Sequence, residues 1–358
     1  MKILHITIGI GVGGIATFIE ELLEDLSKEN EVTLVCFEKN IEKYREEKLK
    51  NVNIIFFNQT SMYSLKNIFR LRKLIRENDI IHSHLFPAQY ITVIASLFLR
   101  KVLVTTEHST TNNRRKYFIF KLIDKIFYSK YRKIITVSET ARINLINWIG
   151  MKNKIETIYN GIDLEKYRNG KNIRNELWNL KEEDKLICMI ARFIPPKDHK
   201  TVVRAMKLLS ENIKCIFVGI GQQMSEIEKY VKMQNMENRI KFLGYREDIP
   251  NVLNSSNFSI LSSGYEGLPF VALESLASNS IFLGSNVNGI KEIFEDDMFL
   301  FENGNEKDLA FKIKEILENE NLRKEMIAKS KEIVKKYSKE KMIKQYKKIY
   351  TEVLNENI

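Results

Sequence analysis

Along this chain, short apolar runs rich in Ile, Val, Leu and Phe alternate with longer segments whose apolar positions recur every third or fourth residue. The runs at 3–8, 32–37, 54–57, 80–83, 102–105 and 134–137 are predicted strands, and the segments at 14–27, 65–77, 87–99, 117–128 and 139–148 are predicted helices. Strands apolar along their whole length are covered on both faces, and strands separated by helices pair in parallel. The pattern restarts at 186–191 and continues through 215–219, 240–243, 258–261 and 281–284, which predicts a second sheet of the same kind. Between the two sets, 166–185 mixes Arg, Asn, Lys and Glu with little periodicity and reads as a linker. The expected domains are therefore 1–165 and 186–338, each a doubly wound α/β unit. Everything after 306 is helical in pattern, and the last segment, 339–358, is expected to return to the first domain. In such sheets ligands bind beyond the carboxyl ends of the strands, so the expected site is a cleft where the two domains face each other.

Length agrees with two domains, since 358 residues exceed what one core usually organises. No apolar run is long enough to span a bilayer or serve as a signal peptide, so the expected location is the cytoplasm. Cys36, Cys188 and Cys215 lie inside apolar runs without CxxC spacing and read as buried small hydrophobes. A net charge of +11 calls for a polyanionic partner: nucleic acid, an anionic membrane or a phosphate-bearing substrate. Nucleic acid is not expected, because no recognised binding module accompanies the charge. Residues 112–133 interleave Lys and Arg with Tyr117, Phe118, Phe120, Phe127, Tyr128 and Tyr131. That segment suits either peripheral contact with the inner face of an anionic membrane or a packed helix with a solvated basic side.

Candidate chemistry begins at the first loop. Gly9-Ile10-Gly11-Val12-Gly13-Gly14 follows a strand and opens a helix, and Glu38 ends the second strand, as an NAD-dependent oxidoreductase would require. Glycines there let the backbone approach an anion while helix N–H groups point at it, which suits any phosphate. In the second half, Arg192 and Lys197 share a loop stiffened by Pro195 and Pro196 at a strand's carboxyl end. A guanidinium fork and an ammonium point charge suit a diphosphate, although two solvated surface cations satisfy the same pattern. Glu266 and Glu274 flank a strand-to-helix turn, where they are either ligands for sugar hydroxyls or a cap and an exposed acid. His82 and His84 alternate on a strand end, which is read as sending one of them toward the site. As a metal pair they lack a third ligand. His5 and His199 read as ordinary strand and helix-start residues.

Arg192-x4-Lys197 followed by Glu266-Gly267-Leu268-Pro269-x4-Glu274-x2-Ala277 resembles the signature of family 4 retaining glycosyltransferases of the GT-B fold. The resemblance extends over nearly the whole chain, through Gly13-Gly14, Asp79-Ile80-Ile81-His82-Ser83-His84, Thr106-Glu107-His108, Val137-Ser138-Glu139, Asn160-Gly161-Ile162-Asp163, Gly219-Ile220-Gly221 and Phe242-Leu243-Gly244. It implies two Rossmann-like domains, acceptor-binding first and nucleotide-sugar-binding second. Arg192 and Lys197 would hold the donor diphosphate in place of a metal ion, which agrees with the absence of a DxD loop. Glu274 would bind the ribose, and Glu266 with the backbone of Gly267, Leu268, Pro269 and Phe270 would hold the donor sugar. His108 would contact that sugar near its C6 hydroxyl and reacting centre. Gly13 and Gly14 would border the phosphates and the acceptor pocket, Gly219 would join the donor site, backbone around Tyr245 and Arg246 would meet the base, and His84 and Glu107 would face the acceptor.

The implied activity is retaining transfer of a hexose or N-acetylhexosamine, most naturally from UDP, to a glycan or lipid-linked acceptor, with no cofactor and no metal. An epimerase on the same fold and a non-catalytic partner subunit are the other readings. Two stretches depart from the family's commonest pattern: no acid follows Gly13-Gly14, and Ser285-Asn286-Val287-Asn288-Gly289 lacks the usual proline or second glycine while keeping Glu292.

Overall fold

The computed structural model describes residues 1–11, 13–39, 43–57, 61–109, 113–278, 280–294 and 296–356. The chain divides into two compact units, Met1–Gly161 with Lys339–Ile358, and Ile162–Ser338. In the first unit β1 (Lys2–Thr7), β2 (Glu31–Cys36), β3 (Asn53–Phe56), β4 (Ile80–His84), β5 (Val102–Glu107), β6 (Lys133–Thr136) and β7 (Ile155–Thr157) form one parallel sheet in the order β3-β2-β1-β4-β5-β6-β7. In the second, β8 (Lys185–Ile190), β9 (Ile213–Val218), β10 (Ile240–Phe242), β11 (Phe258–Leu261), β12 (Ile281–Ser285) and β13 (Leu300–Phe301) repeat the plan as β10-β9-β8-β11-β12-β13. In each sheet the winding direction reverses beside the first strand, between β1 and β4 and between β8 and β11. The loops leaving those strands diverge there and open a crevice for a ligand.

The predicted strands lie where the apolar runs placed them, to within about two residues. Burial explains why: β4 and β5 are buried along their whole length, and their polar residues, His82, Ser83, His84, Thr105, Thr106 and Glu107, gather at the carboxyl ends after apolar starts. Two strands, β7 and β13, were not anticipated, being three and two residues long and too short to show a period. The cysteines are buried and free, and burial pushes the Cys36 and Cys188 thiols up to about 12, so they stay protonated.

The stretch 166–185 belongs to the second unit. Tyr167 and Leu177 bury their side chains there, Asn254 Nδ2 donates to the Tyr167 carbonyl at 2.8 Å and Lys241 Nζ to that of Leu177 at 2.9 Å. Two apolar anchors ten residues apart make no periodic signal, hence the linker-like appearance. The final helix, Lys339–Asn355, buries Met342, Tyr346 and Tyr350 in the first unit, while Lys347 reaches Asp25 at 2.9 Å and Glu29 at 3.1 Å. Among the described residues no helix is long and apolar enough to cross a membrane.

Candidate active site

At the crevice of the second sheet, the loops after β8 and β11 are laced together by backbone bonds. Asp198 N–H donates to the Ser262 carbonyl and Gly264 N–H to that of Pro196, each at 2.9 Å, and Lys197 and Ser263 form an antiparallel bridge. This lacing brings together residues far apart in sequence: the Lys197 ammonium forms an ion pair with the Glu266 carboxylate, both largely shielded from water. Arg192, on the same loop as Lys197, is exposed, and its guanidinium has no hydrogen-bond or ion-pair partner among the described residues.

Glycines set the positions of these loops. A Cβ on Gly219, at φ +140°, would stand 2.1 Å from the Ala191 carbonyl oxygen, and one on Gly221 would stand 2.5 Å from that of Phe193. The loop after β9 can therefore press on the backbone of Ala191 and Phe193, either side of Arg192, only because Gly219 and Gly221 carry no side chain. The sequence reading made Gly219 a ligand contact; the structure shows it supporting the loop that carries Arg192. Gly289 plays the same part on the other side, since a Cβ there would lie 2.2 Å from the Gly267 oxygen and 2.3 Å from that of Glu266. His199 lies under the loop, stacked on Phe193 at 4.0 Å, and burial lowers its imidazole to about 3.

Leu268 and Pro269 are buried and anchor the turn into the helix Phe270–Ala277, whose first turn has neither a side-chain cap nor an acid. One turn on, the half-buried Glu274 carboxylate accepts a 2.6 Å hydrogen bond from the Tyr167 hydroxyl. Burial raises the Glu274 carboxyl above its ordinary value, while the Tyr167 bond and Lys166 oppose the shift. Tyr167 comes from the apparent linker, and nothing in its local sequence marks it as a partner of Glu274. Tyr245 is partly exposed, and Arg246 is committed to a fork-on-fork pair with Asp248 at 2.8 and 2.7 Å, which holds the Asp248 carboxyl below its usual range.

In the first unit, Gly13 takes φ +126° with open space where a side chain would stand. The helix Gly14–Leu26 that follows also starts without a side-chain cap or a first-turn acid. Its leading N–H groups are thus suited to an anion; Val12 lies outside the described residues.

Behind this loop is a feature the sequence reading got wrong. Residues two apart on a strand share a face, so His82 and His84 point the same way, with rings stacked at 4.2 Å. His5 on β1 joins them. His5 Nδ1 lies 2.9 Å from His84 Nε2, His84 Nδ1 lies 3.2 Å from His108 Nε2, and His82 Nδ1 lies 2.5 Å from the Tyr350 hydroxyl. His5 is therefore no ordinary strand residue. Candidate ligand atoms of His5, His82 and His84 fall within 4.8 Å of one another, the third member that the metal pair lacked, yet each ring is engaged in hydrogen bonds to protein. Burial lowers His5 and His108 to about 3 and His82 and His84 well below 6.5, so all four are neutral at neutral pH.

Both proposed acceptor contacts are corrected by this geometry. His84 is fully buried with both ring nitrogens taken, by His5 and His108. Glu107 is buried too, accepting from Tyr128 at 2.5 Å and paired with Arg115 at 3.6 Å. His108 differs: its Nδ1 is buried but has no hydrogen-bond partner among the described residues.

Of the basic aromatic segment, Asn112 lies outside the described residues, and the helix Phe118–Ser129 divides into two faces. Asp124 and Tyr128 are buried, with Asp124 accepting from Tyr90, from Arg114 Nε at 3.0 Å and from Trp148 Nε1 at 2.7 Å. Phe118, Ile119, Leu122 and Ile126 are exposed on the other face, together with Lys125. Of the six aromatics in the segment, Tyr128 and Tyr131 are buried, and only Tyr117 and Phe118 are strongly exposed.

Comparison with known proteins bears on the whole chain. Residues 12–166 match the family profile "Glycosyltransferase Family 4", and residues 171–333 match "Glycosyl transferases group 1". N-acetyl-alpha-D-glucosaminyl L-malate synthase of Bacillus anthracis is 29% identical over 304 residues, covering 79% of this chain and 77% of that protein. The N-acetylgalactosamine-N,N'-diacetylbacillosaminyl-diphospho-undecaprenol 4-alpha-N-acetylgalactosaminyltransferase of Campylobacter jejuni is 27% identical, covering 93% of this chain and 94% of that one. Among solved structures, Anabaena HepE in complex with UDP and glucose superimposes with a TM-score of 0.89 at 19% identity, over 98% of this chain and 99% of that one. With one profile on each sheet-bearing half, and with relatives matched along most of their length, the chain belongs to the family 4 glycosyltransferases of the GT-B fold.

Proposed function

We propose that this glycosyltransferase moves a hexose or N-acetylhexosamine from a nucleoside diphosphate, UDP first among them, to a glycan or lipid-linked acceptor in polysaccharide or cell-envelope assembly, with retention and without a metal. The observation that carries the reading is the pairing of Lys197 with Glu266 at the second sheet's crevice, beside an exposed Arg192 with no partner among the described residues and an uncapped helix N-terminus. Arg192 and Lys197 bind the diphosphate, Glu266 and the backbone of Gly267 to Phe270 bind the sugar, and Glu274 takes the ribose hydroxyls. Tyr167 keeps the Glu274 carboxylate oriented before the ligand arrives.

The acceptor oxygen bonds to the anomeric carbon on the face from which the diphosphate departs, and the carbon–oxygen bond to the β-phosphate breaks. The acceptor's proton passes to the leaving diphosphate. Negative charge grows on that group in the transition state, and two fixed cations stabilise it there more than in the ground state. That is the work a divalent ion would otherwise do. The relatives support the substrate class: the Campylobacter enzyme is named for a diphospho-undecaprenol acceptor and the Anabaena structure holds UDP and glucose. The dinucleotide reading of Gly9–Gly14 and Glu38 finds no such support.

A lipid-linked acceptor would be met at the inner face of the membrane, where the apolar face of Phe118–Ser129 would settle. Phe118, Ile119, Leu122 and Ile126 supply the apolar contact, and Lys125 faces anionic headgroups. The transfer reading is tested by screening sugar nucleotides with EDTA present and reading the product's anomeric configuration by NMR. Turnover that requires added Mg2+, or an inverted product, would remove the corresponding part of the proposal.

A further inference from the structure

From His108 a continuous line of hydrogen-bond contacts runs through the interior of the first unit: His84, His5, Tyr350, His82, Thr106 and Tyr346. We propose that this chain locks His108 into one neutral tautomer, protonated at Nε2, so that Nδ1 is presented as a hydrogen-bond acceptor for a substrate hydroxyl. Tyr350, His5 and His84 are then positioning residues, two of them on strands and one on the C-terminal helix.

The polarity follows from counting protons. A neutral imidazole has one N–H and one lone pair, so a ring bonded at both nitrogens must donate on one side and accept on the other. The Tyr350 hydroxyl also has a single proton, and it stands between His82 Nδ1 at 2.5 Å and His5 Nε2 at 3.4 Å. Hydroxyl donors take the shorter contact, because O–H bonds cluster near 2.7–2.8 Å. His82 Nδ1 is therefore the acceptor, and its Nε2–H donates to Thr106 Oγ1 at 2.8 Å.

On the other side the Tyr350 oxygen offers only a lone pair, so His5 carries its proton on Nε2. His5 Nδ1 then accepts from His84 Nε2–H at 2.9 Å, and His84 Nδ1 accepts from His108 Nε2–H at 3.2 Å. His108 Nδ1 is left with a lone pair and no donor among the described residues, on a residue more than nine-tenths buried. Phe18 packs edge-on against the His108 and His84 rings, with centroids at 5.0 and 6.0 Å. A buried acceptor without a donor is costly, and a substrate hydroxyl is the group that would satisfy it. The 3.4 Å step between His5 and Tyr350 is the longest in the chain and the place to cut it.

Only the identity of that hydroxyl as a donor-sugar group rests on the transferase reading; the tautomer does not. The test is NMR of the full-length protein with 15N-labelled histidine, read through ring 1H–15N correlations and assigned with His108→Gln. The expected wild-type pattern is a pyridine-type Nδ1 and a pyrrole-type Nε2 on His108. In Tyr350→Phe the polarity is released, both tautomers of His108 appear, and kcat falls by about tenfold, the scale of one neutral hydrogen bond. A pyrrole-type Nδ1 in the wild type overturns the proposal, and so does a Tyr350→Phe spectrum with the His108 pattern unchanged. Should Tyr350→Phe not fold, the wild-type spectrum decides alone. The expected tautomer in a protein inactive on every sugar nucleotide would refute the transferase reading and leave the tautomer lock standing.

Discussion

Replacing Lys197 by Ala is the most direct perturbation of the candidate donor site, because it acts in two ways on the proposed diphosphate position. The ammonium is lost, and the largely buried Glu266 carboxylate loses the cation beside it, next to the proposed position of the diphosphate. Two unit charges about 4 Å apart at an effective dielectric near 20 interact by about 4 kcal/mol, so both the lost attraction and the new repulsion are of that order before solvent relaxes them. Removing one preorganised charge-stabilising group typically costs about 3–4 kcal/mol in the barrier, or about 10²–10³-fold in rate. Lys197→Ala is therefore expected to weaken UDP binding by at least about 10²-fold in calorimetry and to lower kcat/KM by about 10³-fold. The double variant Lys197→Ala/Glu266→Gln removes the repulsion as well and is expected to recover about tenfold of the UDP affinity, although not the turnover. Thermal melts of all three proteins check that the fold survives. UDP affinity within twofold of wild type in Lys197→Ala would refute the reasoning, and a double variant no better than the single would refute the role given to the carboxylate.

Gly289→Ala would push the Glu266–Gly267 carbonyls away by about 1 Å, a misplacement expected to cost about 10²-fold in kcat, together with about 1–3 kcal/mol of stability from overpacking. Steady-state kinetics with the same substrates decides, and unchanged kcat would show that this contact does not hold the loop. Glu274→Gln is expected to abolish nucleotide-sugar binding yet raise stability at neutral pH. Because burial raises the folded carboxyl above its ordinary 4.5, wild-type stability falls as pH rises from 4.5 through that higher value, and the variant should lose this dependence. Denaturant melts across that range read it directly. The four histidines of the first unit predict the opposite slope on the acid side, since all are held neutral in the fold. Their contribution is fully present above 6.5 and is lost as pH falls, by about 1.4 kcal/mol each at one unit below. Four sum to about 6 kcal/mol, comparable with a domain's whole net stability, so urea melts should show steep destabilisation between pH 7 and 5.5. A flat profile there would mean that the cluster is protonated in the folded state.

What the sequence revealed and what it hid follow from how far each signal travels along the chain. The sheets were legible because a doubly covered parallel strand is apolar along most of its length, so Leu186-Ile187-Cys188-Met189-Ile190-Ala191 and Ile281-Phe282-Leu283-Gly284 declare themselves without reference to anything distant. Arg192, Lys197, Glu266 and Glu274 were legible as candidates through motif spacing, but the Lys197–Glu266 pair was not, since it depends on backbone bonds between loops on two neighbouring strands. Tyr167 was hidden by its setting, a polar stretch whose two buried anchors make no period.

The histidines are the instructive case. His82-Ser83-His84 places both rings on one side by strand geometry alone, so reading them as opposed was an error of period and not of missing information. Their partners could not be found that way. His5 lies on the neighbouring strand, where register brings it opposite His82, and Tyr350 lies 345 residues beyond His5 in the sequence, on a helix that returns to the first unit. Burying four imidazoles requires that each proton have an acceptor and each lone pair a donor, and that condition is met by residues from β1, β4, β5 and the last helix together. The one ring nitrogen for which it is not met, His108 Nδ1, belongs to the residue that the family resemblance had already assigned to the substrate. An unmet bond in an otherwise closed network is thus independent physical support for that assignment, because satisfying it from within the protein would have left nothing to offer a ligand.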